Sequence, residues 1–213
     1  FRESLPLYGI PEFVTSEKAF INLKDGYHLL IPEPVANSIS EEKSVLLTGS
    51  NASGKSTFLK TVAINAILSQ SLNTCIATSY KASFFQIYSS MALKDNLQGS
   101  ESYFIVEIKS LKRILAHAED KLPMLCFVDE VLRGTNTLER ISASSQILKS
   151  LVKENVLCFA ATHDLELTQI LEHDYSNYHF QEEIQENDIL FNYQLYKGRA
   201  VSRNAIQLLK IIG

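Results

Sequence analysis

Apolar positions in the first 43 residues come in short stretches, such as Ala19-Phe20-Ile21 and His28 to Ile31, interrupted by Pro6, Gly9, Pro11, Pro32 and Pro34. Proline cannot donate to a sheet ladder and glycine loosens the backbone, so this region predicts short strands and turns. From Ser44 the pattern changes to brief apolar runs alternating with longer segments of helical period. Val45-Leu46-Leu47, Met124-Leu125-Cys126-Phe127-Val128 and the run from Val156 to Ala161 have the length and continuity of strands buried on both faces, as in a parallel sheet. Phe104, Ile108, Leu111, Leu115 and Ala118 recur at helical spacing, and so do Leu138, Ile141, Ser145, Leu148 and Leu151 or Val152. Two helices are expected there, each with one face on the sheet. Residues 175–197 mix Tyr, Phe and Ile around Asn187-Asp188 and Lys197-Gly198 turns and predict a hairpin, and Ser202 to Ile212 predicts a closing helix. Strands alternating with helices define an α/β fold, a mostly parallel sheet flanked by helices with short N-terminal and C-terminal antiparallel β elements. Residues 1–43 are expected to pack as strands and turns on a core of residues 44–213, forming one structural domain overall.

Composition narrows the functional classes. At 213 residues, 46% hydrophobic and 21% charged, the chain has the make-up of a folded domain and not of a disordered, collagen-like or coiled-coil segment. Twenty Lys and Arg against 24 Asp and Glu give a net charge of -4, so no overall positive field draws in polyanions. The densest basic cluster, Lys109, Lys112 and Arg113, has the spacing of a solvated helix face. Three cysteines without a C-x-x-C, two of them inside apolar runs, act as small buried hydrophobes and suit a reducing, cytoplasmic location. No run approaches the ~18 apolar residues of a membrane-spanning helix. The opening residues FRESLPLYGI carry neither a signal peptide nor an initiating Met, so the chain is expected to be a fragment of something longer.

The chemistry begins after the first apolar run. GSNASGKST places Gly49, Gly54, Lys55 and Ser56 in the spacing G-x-x-x-x-G-K-[ST] of a phosphate loop. Glycines let successive backbone N–H groups converge on an anion, and a helix starting near Lys55 turns its positive end toward it. Lys55 is then placed to reach the β- and γ-phosphates and Ser56 to ligate Mg²⁺. The plainer alternative is a glycine turn capped by serine. The second run ends in Asp129-Glu130, where Asp129 suits a metal and Glu130 a general base for water; in isolation the same pair is also what a helix start favours. The third ends in Ala161-Thr162-His163-Asp164, which brings His163 to the carboxyl edge of the sheet where ligands bind; a lone histidine there can equally be structural.

Taken in order, GSNASGKST, GSESYFIVEI, FVDEVLRGTNT and ATHDLEL resemble the ATPase domain of the MutS family of DNA mismatch-repair proteins, a branch of the ABC-type P-loop NTPases. The resemblance runs from about His28 to the C-terminus. The family loop is close to G-P-N-M-G-G-K-S-T. Gly49, Asn51, Gly54, Lys55, Ser56 and Thr57 match it, whereas Ser50, Ala52 and Ser53 depart but stay small. The resemblance implies an ATP·Mg²⁺ site with Asn51 and Ser53 in its loop and His163 as the switch histidine. It implies that Ser102, which is also a plain helix cap candidate, faces the nucleotide of a second subunit. The loop Arg133-Gly134-Thr135-Asn136, with Asn136 where the family has Ser, is implied to cross the same dimer interface. His179, in Ser176-Asn177-Tyr178-His179, and Asn37, in Val35-Ala36-Asn37, are implied to flank the adenine, and His28-Leu29 stands where the family has H-P. The implied assembly is a homodimer or pseudo-symmetric dimer through the ATPase face, meeting mismatched or branched DNA through domains absent from this chain. A relative serving recombination control or translation quality control, or another ABC-type ATPase, is the alternative; lack of L-S-G-G-Q disfavours the latter.

Overall fold

In the computed structural model the described residues are 2, 5–16, 18–91, 103–132, 136–185 and 188–200. The elements run β1 (Glu12–Val14), β2 (Ile21–Gly26), β3 (Asn37–Glu41), β4 (Val45–Thr48), α1 (Lys55–Leu72), β5 (Ser79–Ser83), β6 (Gln86–Ser90), α2 (Tyr103–His117), β7 (Met124–Asp129), α3 (Thr137–Ser150), β8 (Val156–Ala161), α4 (Glu166–Ile170), β9 (Ser176–His179), β10 (Glu182–Gln185), β11 (Asp188–Phe191) and β12 (Tyr196–Lys197). A six-stranded sheet has the order β12-β9-β4-β8-β7-β6 and is parallel throughout except for β12 at its edge.

The three apolar runs form the adjacent strands β4, β8 and β7, and their alternation explains why each run is continuous. Val45, Leu47, Leu125, Phe127, Leu157 and Phe159 enter one core cluster, and Leu46, Met124, Cys126, Val128, Val156 and Cys158 enter the other. Both faces are covered, so no position can be polar without cost. Cys126 and Cys158 face one another in register and are fully buried, and no cysteine is in a disulfide. Contact with Cys158 and burial push the Cys126 thiol well above its ordinary value.

A second, four-stranded sheet, β1-β5-β2-β3, is built largely from the first 43 residues; β1 and β5 are parallel and the other pairs antiparallel. Helix α1 lies between the sheets, touching β2 on one side and β7 and β8 on the other. Its Phe58, Leu59, Val62, Ala63 and Ala66 join Ile21, Leu23, Ile39 and Tyr80 of the second sheet and Leu47 and Phe127 of the first in a single core. Two polar side chains fix it further. Asn65 accepts from Ile76 N (2.8 Å), and Gln70 clamps Phe85 by accepting from its N (2.7 Å) and donating to its O (3.0 Å).

Helices α2 and α3 cover the opposite face through Leu111, Ile114 and Leu148, with Ala118 just past α2 and Leu151 just past α3. Here the helical stripes need correction. Ile108 and Val152 are exposed and Leu138 is 82% exposed, while Ile114, outside the expected stripe, is fully buried. The buried residues of α3 are Ser144, Ser145 and Leu148, so its first turn stands off the core. Lys109, Lys112 and Arg113 are exposed. The segment 175–197 is also not one hairpin. β9 joins the large sheet beside β4, only β10 and β11 pair as a hairpin, and β12 returns to β9. Tyr178 and Phe180 draw this strand into the core, where the Tyr178 hydroxyl donates to Glu41 Oε1 (2.7 Å). The closing helix expected over Ser202 to Ile212 lies outside the described residues. Among the described residues no helix is long and apolar enough to cross a membrane.

Candidate nucleotide site

The loop from β4 to α1 requires its glycines. Gly49 has φ 149°, and a Cβ there would stand 2.7 Å from Ser53 Oγ and 3.0 Å from Phe180 O. Gly54 has φ 111° and is the N-cap of α1; no side chain caps the helix and no acid occupies its first turn. The first N–H groups of a helix lack intrahelical partners, so this end presents donors and a positive dipole to the loop. Lys55 is buried, and its Nζ donates to Gly49 O (2.7 Å) and Ser50 O (2.8 Å). The Ser53 hydroxyl beneath the loop is buried without a hydrogen-bond partner among the described residues.

At the carboxyl ends of β7 and β8 the acidic and imidazole groups gather. Asp129 closes β7, and its Oδ1 is buried and has no hydrogen-bond partner among the described residues. Glu130 follows with φ 60° and donates its N–H to Ala161 O (3.0 Å), which fixes the turn out of the sheet. The His163 ring is half-exposed, with Nδ1 3.6 Å from Glu130 Oε1 and Nε2 3.8 Å from Asp164 Oδ1. Asp164 accepts two hydrogen bonds from Arg140, at 2.8 and 2.6 Å. Those bonds hold its carboxyl below the usual value of 3.8, and raise the Arg140 guanidinium in turn.

A cleft of about 560 Å³ opens beside the loop, a size that suits a nucleotide-sized ligand. Asn51, Gly54, Lys55, Ser56, Thr57 and Glu130 form one wall, and residues between Gly26 and Asn37 form the other, with Phe180 and Tyr193 closing the end. Burial and the nearby Lys60 charge lower the pKa of His28 on that second wall. Asp129 precedes Glu130 in the chain and His163 lies beside it in space, though neither lines the cleft itself. Asn37 lines the cleft, yet its amide is engaged with backbone: Nδ2 donates to Tyr193 O (2.9 Å) and Oδ1 accepts from Leu195 N (2.7 Å). It anchors the segment carrying Tyr193, itself at φ 54°.

His179 is placed elsewhere. It does not line the cleft; its ring stacks on Tyr196 and its Nδ1 lies 3.0 Å from Gly198 O, because β12 pairs directly alongside it. Tyr193 occupies the place by the cleft instead, and nothing in the local sequence marks it. Reading along the chain also passes over Glu182, which accepts from Ser50 Oγ (2.8 Å) and so ties the hairpin to the loop, and over Arg140. Asn136 caps α3 by accepting from Glu139 N (3.0 Å). Ser102, Arg133, Gly134 and Thr135 lie outside the described residues.

A parallel sheet with this loop after the central strand β4 and carboxylates at the end of β7, one strand further on past β8, is a P-loop ATPase-type domain. The MutS domain V family matches residues 45–213. MutS protein homolog 4 of Mus musculus is 33% identical over 216 residues, covering 92% of this chain and 22% of its own length. Its Homo sapiens counterpart is 32% identical over 215 residues, with the same coverage. The DNA mismatch repair protein MutS of Thermotoga maritima is 29% identical over 217 residues, covering 97% of this chain and 27% of its own. The chain belongs to the MutS family, and it spans about a quarter of the length of these relatives.

Proposed function

We propose that this domain binds ATP with Mg²⁺ and hydrolyses it in a composite site between two such domains, switching the conformation of a larger MutS-family protein in DNA mismatch repair or a related DNA transaction. The observation carrying this reading is the convergence of Lys55 and Glu130 on one cleft, with the buried, unpartnered Oδ1 of Asp129 next to Glu130. An orphaned buried carboxylate oxygen costs stability unless something meets it, and a hydrated cation suits it. Ser56 and Asp129 would hold the Mg²⁺, which when bound neutralises charge on the phosphate oxygens. Among the described residues no three His, Cys, Asp or Glu side chains form a metal site of their own; the ion envisaged is one that arrives with phosphates.

Lys55 exchanges its two carbonyl contacts for phosphate oxygens, gaining charge-assisted hydrogen bonds. The loop N–H groups, with Asn51, Ser53 and Thr57 around them, cradle the remaining oxygens. Glu130 accepts the proton of the attacking water, and His163 sits beside it toward the terminal phosphate. Val35 and Tyr193 flank the base, with Asn37 holding the latter. Ser102 and the Arg133-Gly134-Thr135-Asn136 loop complete the site of the neighbouring domain.

Glu130→Gln keeps the shape of the acid and removes its basicity, so nucleotide affinity should persist while turnover falls by about 10²-fold or more. Equal turnover in the variant would remove Glu130 from the chemistry. The shared site is tested by mixing Ser102→Arg with Lys55→Ala, each inactive alone: recovered turnover in the mixture supports catalysis across the interface, and its absence, with wild-type turnover independent of protein concentration, argues for self-contained sites.

A further inference from the structure

Arg140 lies in the first turn of α3, outside every motif that marks the nucleotide site, yet its guanidinium is mostly covered beside His163 and Asp164. It grips Asp164 through a planar fork, Nε to Oδ2 at 2.8 Å and Nη2 to Oδ1 at 2.6 Å, with the two side chains 13% and 7% exposed. Such bidentate pairs fix orientation as well as charge. The oxygen held by Nη2 is the one 3.8 Å from His163 Nε2, and the other ring nitrogen of His163 is 3.6 Å from Glu130 Oε1. The His163 ring has no hydrogen bond among the described residues and is half-exposed, so these two carboxylates are what brackets it. Asp164 is itself fixed at its backbone, where its N–H donates to Thr162 Oγ1 (3.0 Å).

We infer that Arg140 and Asp164 are positioning residues that hold His163 in register with Glu130. The inference rests on the hydrolytic reading given above and adds to it a line of four side chains, Arg140–Asp164–His163–Glu130, from α3 to the end of β7. A part-buried guanidinium–carboxylate fork could exist only to pin α3 to the segment that follows β8. The two roles separate experimentally. If the pair only pins the helix, reversing it should restore everything; if it positions His163, reversal places a cation beside the imidazole and restores the fold alone.

The test compares ATP turnover, nucleotide affinity by titration calorimetry and thermal midpoint in the full-length protein, for Asp164→Asn, Arg140→Lys and the reversed pair Arg140→Asp with Asp164→Arg. Asp164→Asn, nearly isosteric, should lower kcat by about 10-fold or more, the scale of small misplacements at a reacting centre, with nucleotide Kd changed by less than about 2-fold. Arg140→Lys, which keeps the charge and loses the fork, should fall between it and wild type. The reversed pair should recover the thermal midpoint relative to either single reversal, and not kcat. Turnover that is abolished by Lys55→Ala but indifferent to Asp164→Asn overturns the inference and leaves the hydrolytic reading standing. Recovery of kcat by the reversed pair also overturns it. Turnover indifferent to Lys55→Ala overturns the hydrolytic reading and this inference together.

Discussion

The two walls of the cleft are built in opposite ways. On the reading proposed above, the phosphate wall is almost contiguous: the stretch Asn51 to Thr57 supplies a glycine, the lysine and hydroxyls, and Glu130, just past β7, adds a carboxylate. The wall proposed to meet the base is assembled from distant pieces, residues 26–37 on and after β2 and Tyr193 beyond the hairpin, joined by the Asn37 amide across 156 residues of chain. A contiguous wall is specified by local backbone geometry, whereas an assembled wall exists only once both sheets have formed. The first should therefore govern whether a nucleotide binds and the second which face of it is gripped, and by how much.

The most severe break in this comparison is Lys55→Ala. Removing the cation from the contiguous wall should weaken ATP affinity by about 10²-fold, the cost of truncating one partner of a buried charged hydrogen-bonded pair, as titration calorimetry with Mg²⁺ would measure. An affinity within a factor of two of wild type would mean that the assembled wall binds nucleotide by itself. The assembled wall is probed more gently by Tyr193→Ala, which should cost about 10-fold in affinity, the scale of losing one aromatic stacking partner of a base. Tyr193→Phe should cost little. Asn37→Ala should follow Tyr193→Ala in direction, since it releases the segment that carries the ring, and should also lower the thermal midpoint.

The smallest effect concerns neither wall but the Arg140–Asp164 pair behind them. Asp164 titrates below its ordinary value of 3.8 in the folded chain because Arg140 hydrogen-bonds the charged form. Its contribution to stability is therefore whole above about pH 4 and is lost as pH falls through the folded value. Urea midpoints measured between about pH 5 and pH 2 should fall less steeply for Asp164→Asn than for wild type, and identical slopes would show that the pair carries no such linkage.

How far the sequence discloses the molecule follows the same division. The buried strands β4, β7 and β8 announce themselves because burial on both faces forbids polar interruption. The phosphate loop does so because its backbone angles at Gly49 and Gly54 tolerate few other residues. β5 and β6, with the sequences SYKAS and QIYSS, have no such signature. β5 lies in the smaller sheet and β6 at the edge of the large one, where polar residues are tolerated. By type His179 is a better base-side candidate than Tyr193, but strand pairing with β12 commits its ring to Tyr196, and no local pattern encodes that pairing. Arg140 has the appearance of a surface charge on a helix; only the fold brings it within 2.6 Å of Asp164.

Helix α1, held between two sheets, also sets how far a change at the loop can travel. A helix gripped on one side can absorb a push at its end by sliding or tilting over its neighbour. This one is wedged on both, and Asn65 and Gln70 bolt it to the backbone at Ile76 and Phe85, before and after β5. Close-packed interiors compress little, so a displacement of Gly54 and Lys55 passes along all 18 residues of the rod, about 27 Å at 1.5 Å per residue. It emerges at Leu72, where Arg2 of the N-terminal segment donates to the carbonyls of Leu72 and Asn73. Any displacement of that loop would therefore reach the far end of α1 with little loss in between.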